Sequence, residues 1–193
     1  MKGIKLFLFY LLSFTWGILL SMVGLLIAIV LLIAGYKPEI FHNRIYFEVG
    51  YNWGGVNLGF VFIVNRYALE GTKQHECGHG LQNIVLGPLM PFIVCIPSAV
   101  RYWIYEFAEK GKLFEYEIGL LSIEMVLIIV SVVALYYFQI VLFAVVVSLA
   151  IYWCAICAWV IFVEGKKYNK KPYPYYESIW FEKQATMLGK KYF

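Results

Sequence analysis

Residues 6–36 read LFLFYLLSFTWGILLSMVGLLIAIVLLIAGY, and residues 125–163 read MVLIIVSVVALYYFQIVLFAVVVSLAIYWCAICAWVIFV. Neither run contains a charged side chain, and each is longer than the roughly 20 apolar residues that a helix needs to cross a bilayer. The chain is 62% hydrophobic and 15% charged, whereas soluble domains carry about 25% charged residues. These features predict an integral membrane protein that is mainly α-helical.

The pattern around the two runs divides one membrane domain, residues 1–193, into five segments with three to four transmembrane helices. The segments are a first transmembrane segment (3–35), a β element (44–65), a polar helix followed by an apolar helix (73–107), a transmembrane hairpin turning near 136–140 (118–163), and a basic tail with a short helix at 177–188 (164–193). The first segment is either one tilted helix or an interfacial helix (3–14) that leads into a span. In the second, alternating apolar residues flank an Asn/Gly-rich turn, which predicts a small β-hairpin or a pair of short strands.

The basic residues are concentrated in the tail. The net charge is +4, and seven lysines follow the last apolar run: Lys166, Lys167, Lys170, Lys171, Lys183, Lys190 and Lys191. A basic segment next to a span is typical of the cytoplasmic side and of contact with anionic lipid. The lipid bilayer therefore explains the charge, and we expect no nucleic-acid partner.

The polar helix carries the residues that point to chemistry, in the order His75-Glu76-Cys77-Gly78-His79. Two histidines four positions apart project from one helix face, one turn apart, which suits two ligands of a tetrahedral zinc ion. Glu76 lies beside them and could act as the general base toward water at the metal. This is the spacing of the His-Glu-x-x-His metallohydrolase motif. The alternative is a solvated polar face of an interfacial helix.

A zinc site needs a third protein ligand, and the composition narrows the choice. The chain contains no aspartate and only three histidines, which excludes aspartate ligands and the three-histidine metzincin arrangement after position 79. It also excludes di-iron desaturase sites and aspartyl intramembrane proteases. A glutamate or His42 remains.

The tail contains Glu182, Ala185, Thr186 and Gly189 in a pattern that resembles the Glu-x-x-Ala-Asp signature of minimal gluzincins, a group that includes membrane-embedded zinc metallopeptidases. The resemblance implies that Glu182 is the third ligand and that Thr186 stands where an aspartate supports a ligating histidine. A threonine brings no charge to that position, which distinguishes this site from the family pattern. Glu177, Glu106, Glu109 and His42 remain alternative ligands.

A second resemblance covers nearly the whole chain and is to small, uncharacterised bacterial integral membrane proteins. Those proteins also carry threonine at the position of Thr186. The resemblance implies a bacterial inner membrane protein, and the basic tail then places the site at the cytoplasmic face. The stretches that carry it are 46–50, 53–55, 75–83, 87–88, 96–103 and 178–182.

Three further residues are candidates for supporting roles. Gln82 follows His75 by two helical turns, so it could bond a ligand or the substrate, or simply be an interfacial polar residue. Arg101 and Tyr102 could stabilise an oxyanion, although residues of these types also anchor helices at membrane interfaces. The strand residues 56–65, just before the polar helix, could offer an edge to an extended peptide.

Together these features predict a gluzincin-like helix at the membrane interface, with zinc as cofactor and hydrolysis of an amide bond in a peptide or membrane-proximal protein segment. Two alternatives remain. One is a non-catalytic membrane scaffold that a metal ion stabilises, and the other is a hydrolase of lipids or other non-peptide amides.

Overall fold

The computed structural model describes residues 3–109, 119, 122–130, 133, 140–164 and 176–193, with the backbone alone for 104–109 and 140. The protein is mostly helical and has one small four-stranded sheet. In chain order the main elements are α1 (Ile4–Phe14), α2 (Ile18–Ile33), β1 (Glu39–Phe41), β2 (Arg44–Glu48), β3 (Gly55–Leu58), β4 (Val61–Val64), α3 (Glu70–Leu86), α4 (Ile96–Glu109), α5 (Ile140–Ala158) and α6 (Trp180–Tyr192). A 3-10 turn (Gly87–Leu89) and a π-helical turn (Pro91–Cys95) link α3 to α4, and a second π-helical turn (Trp159–Glu164) extends α5.

The sheet is larger than the predicted hairpin and differs from it in topology. Its strand order is β1-β2-β4-β3. Two antiparallel hairpins, β1–β2 and β3–β4, are joined by a parallel pairing of β2 with β4 in which Tyr46 lies opposite Phe62. The predicted hairpin across the Asn/Gly-rich turn does not form, because β2 pairs antiparallel with β1 and β3 pairs antiparallel with β4, each across its own tight turn.

The two faces of the sheet are covered by different helices. Phe47 and Val61 pack in one buried cluster with Phe9 of α1 and Ala28 of α2. The neighbouring residues in sequence point the other way, as alternation along a strand requires. Tyr46, Phe62 and Val64 therefore cluster with Cys77 of α3.

α1 and α2 meet at an angle of 88°, and the break at Thr15–Gly17 rests on α3. The Asn83 side chain donates to the carbonyl of Gly17 at 3.2 Å, and the Trp16 indole donates to the carbonyl of Val85 at 3.3 Å. These contacts hold the C-terminal turn of α3 at the corner of the two apolar helices.

α3 and α6 approach so closely that two glycines are needed at the contact. A Cβ atom on Gly78 would lie 1.9 Å from the carbonyl oxygen of Ala185, and one on Gly189 would lie 2.2 Å from that of Gln74. Backbone therefore meets backbone at two points, which brings the side chains of α6 against the polar face of α3.

The chain divides into two compact units. The first is Met1–Cys95 with Trp180–Phe193, and the second is Ile96–Ile179. The first unit contains the sheet, α1, α2, α3 and α6, and the second contains α4 and α5. Within the second unit, the Arg101 guanidinium donates to both carboxylate oxygens of Glu164, at 2.9 and 2.8 Å.

One helical segment in the described part of the chain, Val141–Glu164, is long and apolar enough to cross a membrane. The number rises to three if each of two bent helix pairs is counted as one span, and α1 with α2 is one of those pairs. The predicted turn near 136–140 and the tail lysines of 165–175 lie outside the described residues, apart from the backbone of Ile140.

Candidate metal centre

His75 and His79 lie one turn apart on α3 and turn their Nε2 atoms toward each other. The two rings are nearly perpendicular, with centroids 4.7 Å apart, and the two Nε2 atoms are 3.1 Å apart. Two neutral imidazoles with lone pairs facing at this distance would repel each other. A proton or a cation between them removes that repulsion.

Glu182 completes the group from α6. Its Oε2 atom lies 3.1 Å from Nε2 of His75 and 3.3 Å from Nε2 of His79. The carboxylate is buried, whereas His75 remains a quarter exposed. Because these three ligand atoms converge, the group could hold a metal ion.

The geometry of the group fits zinc. Zinc binds nitrogen and oxygen ligands at about 2.0–2.2 Å, so neighbouring ligands of a tetrahedral ion are about 3.3 Å apart. The three observed separations of 3.1, 3.1 and 3.3 Å are close to that value. Two imidazoles and a carboxylate are also the donor set of many catalytic zinc sites, in which the fourth position is open.

His75, His79 and Glu182 are together called the ligand group below. Gln82 determines which nitrogen of His79 faces the other two residues of this group. Its amide nitrogen donates to the carbonyl of Phe181 at 2.8 Å, and a carbonyl can only accept. The amide oxygen must therefore be the atom that lies 2.8 Å from Nδ1 of His79. Since that oxygen also only accepts, Nδ1 carries the hydrogen and the Nε2 lone pair of the neutral ring faces Glu182.

Thr186 takes the corresponding place beside His75. Its Oγ1 atom lies 2.8 Å from Nδ1 of His75, so the hydroxyl can accept the ring N–H and leave Nε2 as the ligand atom. Both histidines are thus oriented by uncharged partners, Thr186 and Gln82. A carboxylate in either place would make the imidazole more basic.

Glu76 points into the protein next to the two histidines. The residue is only 4% exposed, and its Oε2 atom has no hydrogen-bond partner among the described residues. Burial raises the pKa of the Glu76 carboxyl, against the opposing effect of His75 and His79. Leaving a buried carboxylate oxygen unpaired is costly, which is a common sign that the group has a role in binding or catalysis.

Glu182 also sets the protonation of His79. Burial alone would lower the pKa of His79, but the hydrogen bond and the charge of Glu182 outweigh it and raise the pKa to about 9. At neutral pH the metal-free ring therefore carries a proton where a metal ion would otherwise lie.

The structure describes the side chains of four of the other candidates from the sequence. His42 is in the turn between β1 and β2, with its ring 5.7 Å from that of Phe193, and Glu177 is exposed. Arg101 and Tyr102 belong to the second unit, where Arg101 pairs with Glu164 and the ring of Tyr102 lies 6.2 Å from that of Tyr176. The side chains of Glu106 and Glu109 lie outside the described part.

Four residues contact the site although no pattern in the sequence predicted a role for them. The Asn57 amide donates to the carbonyl of Glu76 at 2.9 Å, and the Arg44 guanidinium donates to that of Cys77 at 2.7 Å. Gln184 accepts from Gln82 at 2.9 Å. A Cβ atom on Gly55 would lie 2.7 Å from Oε1 of Glu76. Each contact joins residues far apart in the chain, so no local spacing could reveal it.

Comparisons of the chain with protein-family models, with curated proteins and with solved structures found no match, so the site's own geometry is the basis for inferring function.

Proposed function

We propose that this protein is a membrane-bound, zinc-dependent hydrolase of the gluzincin-like type that cleaves amide bonds in peptides or membrane-proximal protein segments. The observation that carries the proposal is the convergence of Nε2 of His75, Nε2 of His79 and Oε2 of Glu182 within 3.1–3.3 Å of one another. The buried carboxyl of Glu76 beside this group supplies the second element of such a site.

Bound zinc supplies Lewis acidity, which makes water a stronger acid and polarises a carbonyl group. The protein's own contribution is to hold and move protons. Glu76 would take a proton from the attacking water on its unpartnered Oε2 atom and pass it to the leaving amine nitrogen. Burial raises the pKa of Glu76 above its ordinary value, which makes the carboxyl a stronger proton acceptor.

The outer edge of β3 lies beside Glu76 and pairs with no other strand among the described residues, which favours a peptide over a lipid amide as substrate. Gly54 accepts a hydrogen bond from the backbone of Asn65 at 3.1 Å, and the register places Gly55 opposite Val64. In an antiparallel pair the bonding direction alternates, so the backbone groups of Gly55 point away from β4. β3 is the last strand of the sheet, and an extended peptide could pair with Gly55 next to the carboxyl of Glu76.

The segment Val141–Glu164, which is long and apolar enough to span, supports a membrane location. We propose a bacterial inner membrane protein with the site at the cytoplasmic face. Exposed lysines on α6 support this orientation, because they share a helix with Glu182: Lys183, Lys190 and Lys191.

The first experiment measures zinc content in purified wild-type protein, in Glu182→Gln and in Glu177→Gln. We expect one zinc per chain in wild type and in the Glu177 variant, because Glu177 is an exposed glutamate outside the ligand group. The Glu182 variant should lose most of the metal. Equal zinc in both variants would remove Glu182 as a ligand and with it the proposed site.

The second experiment separates an enzyme from a metal-stabilised scaffold. Glu76→Gln should keep its zinc and lose hydrolysis of a peptide library by about 10²–10⁴-fold. Glu70→Gln is the control, since Glu70 lies exposed on the same helix. Unchanged turnover or an unchanged cellular phenotype in Glu76→Gln would favour the scaffold.

A further inference from the structure

α2 has one face that is buried in the protein and an opposite face that is exposed. One face is buried, through Leu20, Ser21, Gly24 and Ala28. The opposite face exposes an unbroken apolar stripe at helical spacing, formed by Leu19, Val23, Leu26, Val30 and Ile33. Beyond the 88° corner, α1 also exposes apolar residues, among them Phe7 and Leu11.

The buried face of α2 packs on the sheet between Ser21 and Ala28. A Cβ atom on Gly24 would lie 2.2 Å from the carbonyl oxygen of Leu58, and one on Gly59 would lie 2.4 Å from Oγ of Ser21. Further along α2, Ala28 packs against Phe47 and Val61. Three successive turns of α2, at Ser21, Gly24 and Ala28, therefore pack on the sheet and its β3–β4 turn.

This packing determines how α2 can meet a bilayer. If α2 crossed the hydrocarbon core, it would carry the sheet to the same depth, including the edge of β3, with which no other described strand pairs. Unpaired backbone groups on a sheet edge are not tolerated in lipid. α2 has 16 residues, about 24 Å of helix, which is also shorter than the roughly 30 Å hydrocarbon core. α1 has only 11 residues.

We propose that α1 and α2 form an L-shaped plate that lies flat in the outer part of one bilayer leaflet and does not cross it. Charges at its two ends suit anionic lipid headgroups, since Lys5 and Lys37 are both exposed. Trp16 is half exposed at the corner, which is the residue type that prefers the interface. The plate is a second membrane contact besides the spanning segment Val141–Glu164.

This inference does not depend on zinc or on hydrolysis. It changes the count of spans expected from the sequence, because residues 3–35 would contribute no crossing. It also implies that the edge of β3 and the ligand group stay outside the hydrocarbon core, within reach of chain segments that emerge from the membrane.

The test measures the depth of single labels in protein reconstituted into vesicles of phosphatidylglycerol and phosphatidylethanolamine. The double variant Cys95→Ser/Cys154→Ser serves as the background, since Cys154 is exposed and Cys95 partly exposed, while Cys77 and Cys157 are buried. A spin label is placed in turn at five exposed positions of α2, and its depth is found from relaxation by oxygen and by a water-soluble nickel complex. The substitutions are Leu19→Cys, Val23→Cys, Leu26→Cys, Val30→Cys and Ile33→Cys.

A flat plate predicts that all five labels lie at one shallow depth, about 5–10 Å below the headgroups. A crossing helix predicts a gradient instead, because residues 19 and 33 are about 21 Å apart along the axis. Labels at Val141, Val145, Leu149 and Phe162, all exposed on the spanning segment, provide the matched control and should show such a gradient. A similar gradient along α2 would overturn the proposal.

A second measurement covers the case in which a label disturbs the helix. Lys5→Cys and Lys37→Cys lie at the two ends of the plate and replace exposed residues. A membrane-impermeant maleimide should label both from the same side of sealed vesicles of uniform orientation. Labelling from opposite sides would show that the segment crosses and would also overturn the proposal.

Discussion

Oε2 of Glu182 lies 3.1 Å from Nε2 of His75, although 107 positions separate the two residues in the chain. The packing of α6 on α3, where two glycines allow backbone contact, brings the two residues together. The distance between the ligand atoms therefore depends on how closely two helices approach.

Gly78→Ala and Gly189→Ala should push α6 away from α3, because each new Cβ would lie within 2.2 Å of a carbonyl oxygen. We expect the free energy of unfolding to fall by about 1–3 kcal/mol in each variant. Zinc should also raise the thermal midpoint of each variant less than that of wild type. Thermal unfolding in detergent with and without zinc measures both effects.

Gly71→Ala is the control for those two variants. Gly71 is on the same helix, and a Cβ there would meet nothing within 4 Å. It should stabilise the protein slightly, since alanine favours helix by about 1 kcal/mol over glycine. If Gly78→Ala behaves like Gly71→Ala, the two helices are not held at the observed distance.

Gln82→Leu should weaken zinc binding by about 10–100-fold, the usual effect of removing a partner that orients a ligating histidine. Gln82 accepts from Nδ1 of His79 and donates to the carbonyl of Phe181, next to Glu182. The variant loses both contacts, so His79 can adopt the other tautomer. Competition with a chromophoric chelator measures the affinity.

Gln184→Ala tests whether the bond to His79 or the general polar network matters. Gln184 accepts from Gln82 but touches neither histidine through a hydrogen bond in the described part of the structure. We expect its zinc affinity to stay within about threefold of wild type, as for a partner that orients no ligand. Equal losses in both variants would assign the effect to the network.

Zinc affinity should rise with pH up to about 9 and then level off. The pKa of His79 is raised from 6.5 to about 9 in the metal-free protein, so zinc must displace a proton below that pH. One displaced proton corresponds to about a tenfold change in affinity per pH unit. His42→Ala should keep this slope, since His42 lies outside the ligand group. A flat profile between pH 7 and 9 would contradict the assignment to His79.

The same shift predicts how the metal-free fold responds to alkali. A histidine whose pKa is raised on folding adds stability below pH 6.5, and that contribution is lost as the pH rises through about 9. Denaturant unfolding of the metal-free protein should therefore show a decline over this window. In His79→Asn the decline should be smaller than in wild type.

Gly55→Ala should leave zinc content unchanged and reduce turnover of a peptide substrate by about 100-fold. The new Cβ would lie 2.7 Å from Oε1 of Glu76 and would displace that carboxyl, and a misplacement of about 1 Å can cost this much in rate. Gly54→Ala is the matched control, because a Cβ there meets nothing within 4 Å. Equal activity in both variants would show that Glu76 does not act from its observed position.

Local features of the chain were predictable because the sequence alone sets them. The spacing of His75 and His79 dictates a shared helix face in any helix, and α3 ends at Leu86 beside the Gly87-Pro88 break. The apolar runs predicted helices, and α1, α2 and α5 lie within them except for the first residues of α1. Glu182 in the tail was predicted as a ligand from a family resemblance. The spacing of residues in the sequence could not have identified it.

Long-range geometry had no counterpart in the sequence. The parallel pairing of β2 with β4, the 88° corner between α1 and α2, and the bond from Gln82 to Phe181 all depend on which distant surfaces pack together. Hydrophobic content alone does not distinguish a helix that crosses a bilayer from one that lies on it, since both expose apolar side chains to lipid. The sequence thus determined which residues could bind metal and which segments prefer lipid. Only tertiary packing decided that Glu182 meets the two histidines and that one side of α2 belongs to a sheet.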